Sequence, residues 1–192
     1  MFSAVGSIAM KIGLLMSGGV DSSVSALLLK EKGCQVLGIT MISWDDSAAR
    51  KARDAARFLG IEHRTVDLRK LFKERVIEYF CSSYSRAETP NPCVECNKHI
   101  KFGALLDLAR EWECDSIATG HYARIERSPE GRYLLKRAAD YEKDQSYFLY
   151  GLRQEQLARV AFPLGEMHKS EVVALAREHG LPAAGERESA LA

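Results

Sequence analysis

KIGLLMSGGVDSSVSALLLKEKG, Lys11 to Gly33, is the stretch from which the rest of the chain is read. KIGLLMS is a short apolar run that stops at Gly18-Gly19. VDSSVSALLLKEKG then places apolar residues at helical spacing and closes at Gly33, so the segment reads strand, tight turn, helix. Two glycines let the backbone come close to an anion, and a helix start at about Asp21 to Ser23 offers free N–H groups and a positive dipole end. Ser17, Ser22 and Ser23 add hydroxyls, which completes a phosphate cradle. The turn is neither a Walker A loop, since no GKS or GKT follows, nor a dinucleotide fingerprint. A plain βα turn with a Ser/Asp cap has the same spacing and binds nothing.

Working outward, QVLGITMI (35–42) is a second β-rich run, and the Ala-rich segment 45–60 is a helix with an Asp start and a Gly stop. HRTVDL (63–68) is a third strand, 70–86 a third helix, and DSIATGH (115–121) a fourth strand with a polar end. Strands alternating with helices of this length pair in parallel through right-handed crossovers, which predicts an α/β fold with a doubly wound parallel sheet and a ligand site at the strands' C-terminal ends. ETPNPCVECN (88–97) reads as an exposed loop, because its prolines and asparagines oppose regular structure ahead of a helix beginning near Lys98. After His121 the pattern alternates around Ser128-Pro129-Glu130-Gly131, a β-hairpin, and two helices joined by FPLG follow. The expected organisation is a loose extension over 1–10, an α/β domain with its hairpin over 11–140, and a small helical extension over 141–192.

Of the 192 residues, 46% are hydrophobic and 28% charged, which excludes collagen-like, low-complexity and disordered classes. A formal net charge of +1 is silent about nucleic acid. Cys34, Cys81, Cys93, Cys96 and Cys114 form an odd set with one close pair, which suits a reducing, cytoplasmic setting better than a disulfide framework. No run approaches the roughly 20 apolar residues of a membrane span, so no membrane partner is expected.

SGGVDSS resembles the pyrophosphatase loop of the ATP-pyrophosphatase (PP-loop) superfamily. TPNPCVECNKHIKFGALL, ATGHYARI, KDQSYFLYGL and FPLGEMHKSEVVALAREHGLPAA narrow the match, standing in the order and spacing of the bacterial tRNA-specific 2-thiouridylases. The resemblance runs from Lys11 to about Ser189. It implies an adenine-nucleotide α-hydrolase-like domain that uses ATP and Mg²⁺ to adenylate the C2 oxygen of a tRNA wobble uridine, then transfers sulfur to that carbon. On this sequence it assigns the ATP phosphates to Ser17, Gly18, Gly19, Asp21, Ser22 and Ser23, with Asp21 also counted as catalytic. Met41 falls on the adenine side and Gly120 in the nucleotide pocket. Asn91, Pro92 and Cys93 meet the target uridine, Cys96 aligns with the nucleophilic cysteine, and Lys143, Asp144 and Gln145 with a tRNA contact. A persulfide donor protein is the implied sulfur source.

The residue chemistry agrees with that picture. A cysteine just ahead of a helix near Lys98 and Lys101 is expected to have a lowered thiol pKa. Cys93-Val-Glu-Cys96 lacks the second ligand pair of a structural zinc site. With a third cysteine brought in by folding, the pair is also weighed as an iron–sulfur ligand set. His121 reads as pocket architecture rather than a base. Arg124, Arg127, Arg132, Lys136 and Arg137 on the hairpin are read as the RNA-facing cations.

The family continues past GLP into a segment ending in a second catalytic cysteine, then a linking domain and a C-terminal β-barrel, whereas this sequence stops at Ala192. Three explanations stand side by side: a shortened chain, a partner chain supplying that region, or an enzyme using Cys93 with Cys96. The alternatives in function are a PP-loop ligase or sulfurtransferase acting on another substrate, and a nucleotide-binding half-enzyme that needs a partner.

Overall fold

The computed structural model describes residues 9–185, so most of the 1–10 extension and the last residues of the helical extension lie outside the described residues. Strand β1 (Lys11–Leu15), helix α1 (Val20–Glu31), β2 (Gln35–Ile42), α2 (Ser47–Leu59) and β3 (Glu62–Asp67) follow in the expected alternation. Two further strands, β4 (Ser116–Thr119) and the two-residue β7 (Val160–Ala161), complete a five-stranded sheet of order β3-β2-β1-β4-β7. Every pairing in it is parallel. A doubly wound α/β fold is therefore present. Its edge strand β7 is too short to leave a periodic signal in the sequence.

Alternation along the strands sorts the core into two faces. Ile12, Leu14, Met16 and Val36 pack with α1, α2 and the later helix Lys169–Glu178 through Leu29, Ala52, Ala56, Val172 and Ala176. Leu37, Ile39 and Ile117 face the other way, onto Phe102, Leu105, Leu106 and Ala109. Burying a side chain of this size contributes about 1.5–3 kcal/mol, so these two clusters are the main source of stability. Residues beyond 140 share the same core, since Leu149 and Leu164 are buried in it.

The helix α2 shows how composition fixes the site. Ala49, Ala52, Ala55, Ala56 and Leu59 form its buried stripe, and small residues let its backbone come close to whatever it covers. Asp45 accepts the Ser47 N–H at 2.8 Å at its start, and Gly60 closes it in the left-handed region at φ 63°. The hairpin forms as expected from β5 (Ala123–Arg127) and β6 (Tyr133–Arg137), paired antiparallel.

Two expectations need correcting. ETPNPCVECN is not a loop throughout: a helix starts at Pro92 and runs to 111 through Pro92–Glu95, Cys96–Ala104 and Leu105–Glu111. Asn91 caps it, its side chain accepting from Cys93 N at 3.1 Å and Val94 N at 3.4 Å, while Pro92 takes the first helical position, where a missing N–H costs nothing. The second proline is thus a starter, not a breaker. In addition, DQSYFLYGL supplies only the single 3₁₀ turn Ser146–Leu149, with the four-residue helix Gln154–Leu157 after it.

Candidate functional site

In a sheet of this order the crevice opens where the chain turns back, between the C-terminal ends of β1 and β4. The two segments that end there are Ser17–Ser23 and Gly120. A Cβ on Gly120 would stand 3.1 Å from Asp21 Cβ and 3.2 Å from Ser22 N, so the glycine lets the end of β4 press against the first turn of α1. Gly18 has φ +79°, and a Cβ there would lie 2.5 Å from Lys51 Cβ and Ala52 N. The loop is wedged against the alanine stripe of α2. Gly19, by contrast, has only Ser17 Oγ within reach at 3.6 Å, and marks the open side of the turn.

The loop hydroxyls divide their work. Ser22 and Ser23 are buried and donate to Gly19 O at 3.1 and 2.9 Å, so they shape the turn, whereas Ser17 is exposed at its rim. Helix starts leave their first N–H groups without intrahelical acceptors, and those of α1 sit at this turn. Just below, Met16 O accepts from the buried Thr40 hydroxyl at 2.7 Å, and His63 Nε2 lies 2.8 Å from Thr40 Oγ1. Because Thr40 spends its proton on Met16, the imidazole is the donor to Thr40. Burial, then Arg53, lowers the His63 pKa, consistent with a neutral ring.

Asp21 is held from two sides. Lys169 Nζ donates to both carboxylate oxygens at 2.7 and 2.8 Å, and Tyr122 Oη donates to Oδ1 at 2.9 Å. Lys169 begins the helix Lys169–Glu178, 148 residues away in sequence, and its own N–H is accepted by Asp140 at 2.9 Å. The sequence reading missed Lys169 although it quoted HKSEV, because nothing local marks a lysine at a helix start as a partner of a distant carboxylate. Asp21 is thereby a fixed anion paired to a cation beside the turn that follows β1.

The cysteine helix reaches the same sheet edge from the other face. Cys96 is 8% exposed and packs with Ile100, Val76, Phe72, Leu68 and Met41, the last at the end of β2. This corrects the expectation of a lowered thiol pKa: burial pushes the Cys96 thiol up, and Lys101 only partly opposes it. The helix starts six residues earlier than expected, at Pro92, so Cys96 lies inside it rather than ahead of its dipole. It also marks the point where backbone bonding widens from i→i+4 to i→i+5, a joint that helices use at functional positions. Cys93, in the first turn, is the exposed thiol. Native alkylation with iodoacetamide at pH 8 should therefore modify Cys93 and Cys81 at least about tenfold faster than Cys96. Peptide mapping that finds Cys96 labelled as fast as Cys93 would contradict the burial argument.

No group of three or more His, Cys, Asp or Glu side chains able to hold a metal occurs among the described residues, which include all five cysteines. The iron–sulfur expectation at Cys93 and Cys96 thus finds no third ligand. His121 behaves as pocket architecture: Nδ1 lies 2.7 Å from Thr119 Oγ1, the ring packs on Phe102 and Phe162, and burial followed by Lys101 lowers its pKa well below the usual value.

Of the Lys143-Asp144-Gln145 set, two side chains serve the fold. Asp144 accepts from Ala138 N at 2.9 Å and Ser146 Oγ at 2.8 Å; burial raises its pKa, but these bonds outweigh it and leave the carboxylate lowered. Gln145 Oε1 accepts from Tyr122 N at 3.0 Å, tying the segment to the residue that holds Asp21. The hairpin cations are largely neutralised: Arg124 pairs with Glu166, Lys136 with Glu126 and Arg137 with Asp144.

The family model described as tRNA methyl transferase HUP domain matches residues 10–191. The chain belongs to that family. Among relatives, the tRNA-specific 2-thiouridylase MnmA of Syntrophomonas wolfei is 51% identical over 181 residues, which are 94% of this chain and 54% of the relative. That of Pelobacter propionicus is 51% identical over 187 residues, 94% of this chain and 53% of the relative. This family member thus spans about half the length of the curated relatives it matches. Among solved structures, a predicted subunit of tRNA methyltransferase from Methanocaldococcus jannaschii superposes with a TM-score of 0.58 at 23% identity, covering 88% of this chain and 75% of that one. The NH3-dependent NAD synthetase of Campylobacter jejuni gives 0.54 at 18%, covering 92% and 67%. At these identities the likeness is one of fold. No helix among the described residues is long and apolar enough to cross a membrane.

Proposed function

We propose that this chain acts in ATP-dependent 2-thiolation of a tRNA wobble uridine, as the part that binds and activates. The observation that carries the reading is the meeting of two segments on one sheet edge: the anion cradle Ser17–Ser23 after β1 and the Asn91-capped, cysteine-bearing helix start beside the end of β2. About half-identical relatives that carry the name tRNA-specific 2-thiouridylase support it. The donor set fits a nucleotide triphosphate: free helix N–H groups, an open face at Gly19, and Lys169 beside Asp21. Mg²⁺ arriving with the nucleotide supplies charge for the departing pyrophosphate.

In this reading Ser17 and the backbone N–H groups of Gly18, Gly19 and Ser22 hold the phosphates, the Ser22 and Ser23 hydroxyls keep the turn in shape for them, and Asp21 keeps Lys169 aimed at them. Met41 and Gly120 border the nucleoside side. Asn91, Pro92 and Cys93 present the uridine, whose C2 oxygen displaces pyrophosphate from the α-phosphorus. The donor protein's persulfide passes its outer sulfur to the Cys96 thiol; that sulfur adds at C2, AMP leaves with the oxygen, and a second thiol then attacks Cys96, closing a disulfide for an external dithiol to reduce and freeing the 2-thiouridine. Lys143 contacts the tRNA on a turn that Asp144 and Gln145 hold in place. The setting is the cytoplasm, and a partner chain supplying the C-terminal region of the longer relatives remains part of the proposal.

The test is pyrophosphate release from ATP and Mg²⁺ with and without unmodified tRNA, beside Cys96→Ser. Release that requires tRNA and survives the serine change, with thiolation lost, is the expected result. Release without tRNA, or thiolation that survives Cys96→Ser, points instead to a ligase acting on another substrate. ATP binding with no release under any RNA supplement makes the chain a nucleotide-binding half.

A further inference from the structure

Tyr147 and Tyr150 are 64% and 67% exposed and are neighbours on one surface. They lie on and just after the turn Ser146–Leu149, with ring centroids 5.9 Å apart and planes 48° to each other. Their position is fixed against the cysteine helix. Asn97, fully inside that helix, donates from Nδ2 to Phe148 O at 3.0 Å, and a Cβ on Gly151 would stand 3.7 Å from Lys98 Cδ. The turn Ser146–Leu149 also comes within 8 Å, Cα to Cα, of the first helical turn Pro92–Glu95, which sets the segment carrying the rings beside the proposed uridine position.

Beyond the rings, a groove of about 350 Å³ continues along the same helix, lined by Lys98, Arg110, Arg153 and Arg159, with Asp107 and Glu155 at its wall. Arg110 has Asp107 at 3.9 Å, whereas Lys98, Arg153 and Arg159 stand in no ion pair among the described residues. On the hairpin, by contrast, three of the five cations, Arg124, Lys136 and Arg137, are paired with Glu166, Glu126 and Asp144. Exposed aromatic rings interleaved with uncompensated cations are the chemistry that binds unpaired RNA, the rings stacking bases and the cations following the backbone.

We propose that Tyr147 and Tyr150 form a stacking platform for unpaired RNA bases next to the target uridine, with the Lys98–Arg153–Arg159 groove taking the adjoining phosphates. The proposal rests on the tRNA reading above. It moves the RNA-facing surface from the hairpin to the outer side of the cysteine helix.

The experiment is fluorescence anisotropy with a labelled stem–loop RNA whose unpaired loop contains a uridine, and a fully paired duplex of equal length as comparison. Tyr147→Ala/Tyr150→Ala should weaken stem–loop binding by about tenfold or more. Tyr147→Phe/Tyr150→Phe should keep the affinity, and the duplex should be indifferent to both changes. Thermal melting of each variant checks that loss is not unfolding, which the exposure of both rings makes a fair control. Unchanged stem–loop binding by the alanine variant, equal losses for loop and duplex, or no saturable binding by the unsubstituted chain would each overturn the platform. Pyrophosphate release measured on the same proteins separates the two ideas. Ring-dependent binding without tRNA-stimulated release leaves the platform standing and removes the thiolation reading; stimulated release with ring-independent binding does the reverse.

Discussion

Replacing Gly18 with alanine is expected to destabilise the chain by about 2–4 kcal/mol and to abolish nucleotide binding. Two costs add. A residue with a Cβ pays about 1 kcal/mol to sit in the left-handed region that φ +79° requires. The methyl then meets the backbone between Lys51 and Ala52 at 2.5 Å, where no side chain can swing away, so either α2 or the loop must move. Two neighbours separate the costs. Gly33→Ala shares the conformation, φ +78°, but has nothing within 4 Å, so it should cost only the backbone share. Gly19→Ala has an ordinary conformation and an open Cβ direction, so it should fold normally and weaken ATP binding alone. Urea denaturation with ATP titration of the three variants is the measurement. Equal stability of Gly18→Ala and Gly33→Ala would remove the wedge against α2.

Lys169→Met should cost about 1–3 kcal/mol of stability and most of the nucleotide affinity. The change leaves Asp21 with one hydrogen bond from Tyr122 at 2.9 Å where it had three, and takes a cation away from the cradle. The figure is discounted from a fully buried pair because the Lys169 and Asp21 side chains keep 15% and 27% of their exposure. Asp21→Asn should cost a similar amount, and the double variant less than the sum, since each single change strands the other charge. Strict additivity in the cycle would show that the two residues act independently. Loss of ATP affinity in Lys169→Met with Asp21→Asn unaffected would assign the lysine to phosphate directly and make the carboxylate merely its anchor.

Much of this was legible in one dimension. Period and punctuation located β1, α1, β2, α2, β3 and the hairpin, since each is a local pattern: an apolar run, a helical stripe or a turn of Pro and Gly. The SGGVDSS turn announced an anion cradle because its chemistry is backbone geometry, which glycines and a helix start specify by themselves. The helix at Pro92 was equally local and was nonetheless misread, because a proline breaks a helix from within but starts one after an asparagine cap. The Cys96 thiol follows from the same helix: a cysteine ahead of a helix start meets solvent and a favourable dipole, whereas Cys96, inside it, meets Ile100, Phe72 and Met41.

What only tertiary structure decided is whatever joins distant residues. Lys169 gripping Asp21, Gln145 bonding the backbone of Tyr122, and Arg124 paired with Glu166 all depend on where the chain returns. Each is an interaction effective over a few ångströms between residues separated by up to 148 positions, and no periodicity encodes it. The sequence by itself determined the strand–turn–helix order from β1 to β3 and the glycine-bearing turn between β1 and α1. Packing determined which charges stay free, which thiol faces solvent and which aromatic rings remain exposed beside the site, because burial and pairing are properties of neighbours in space.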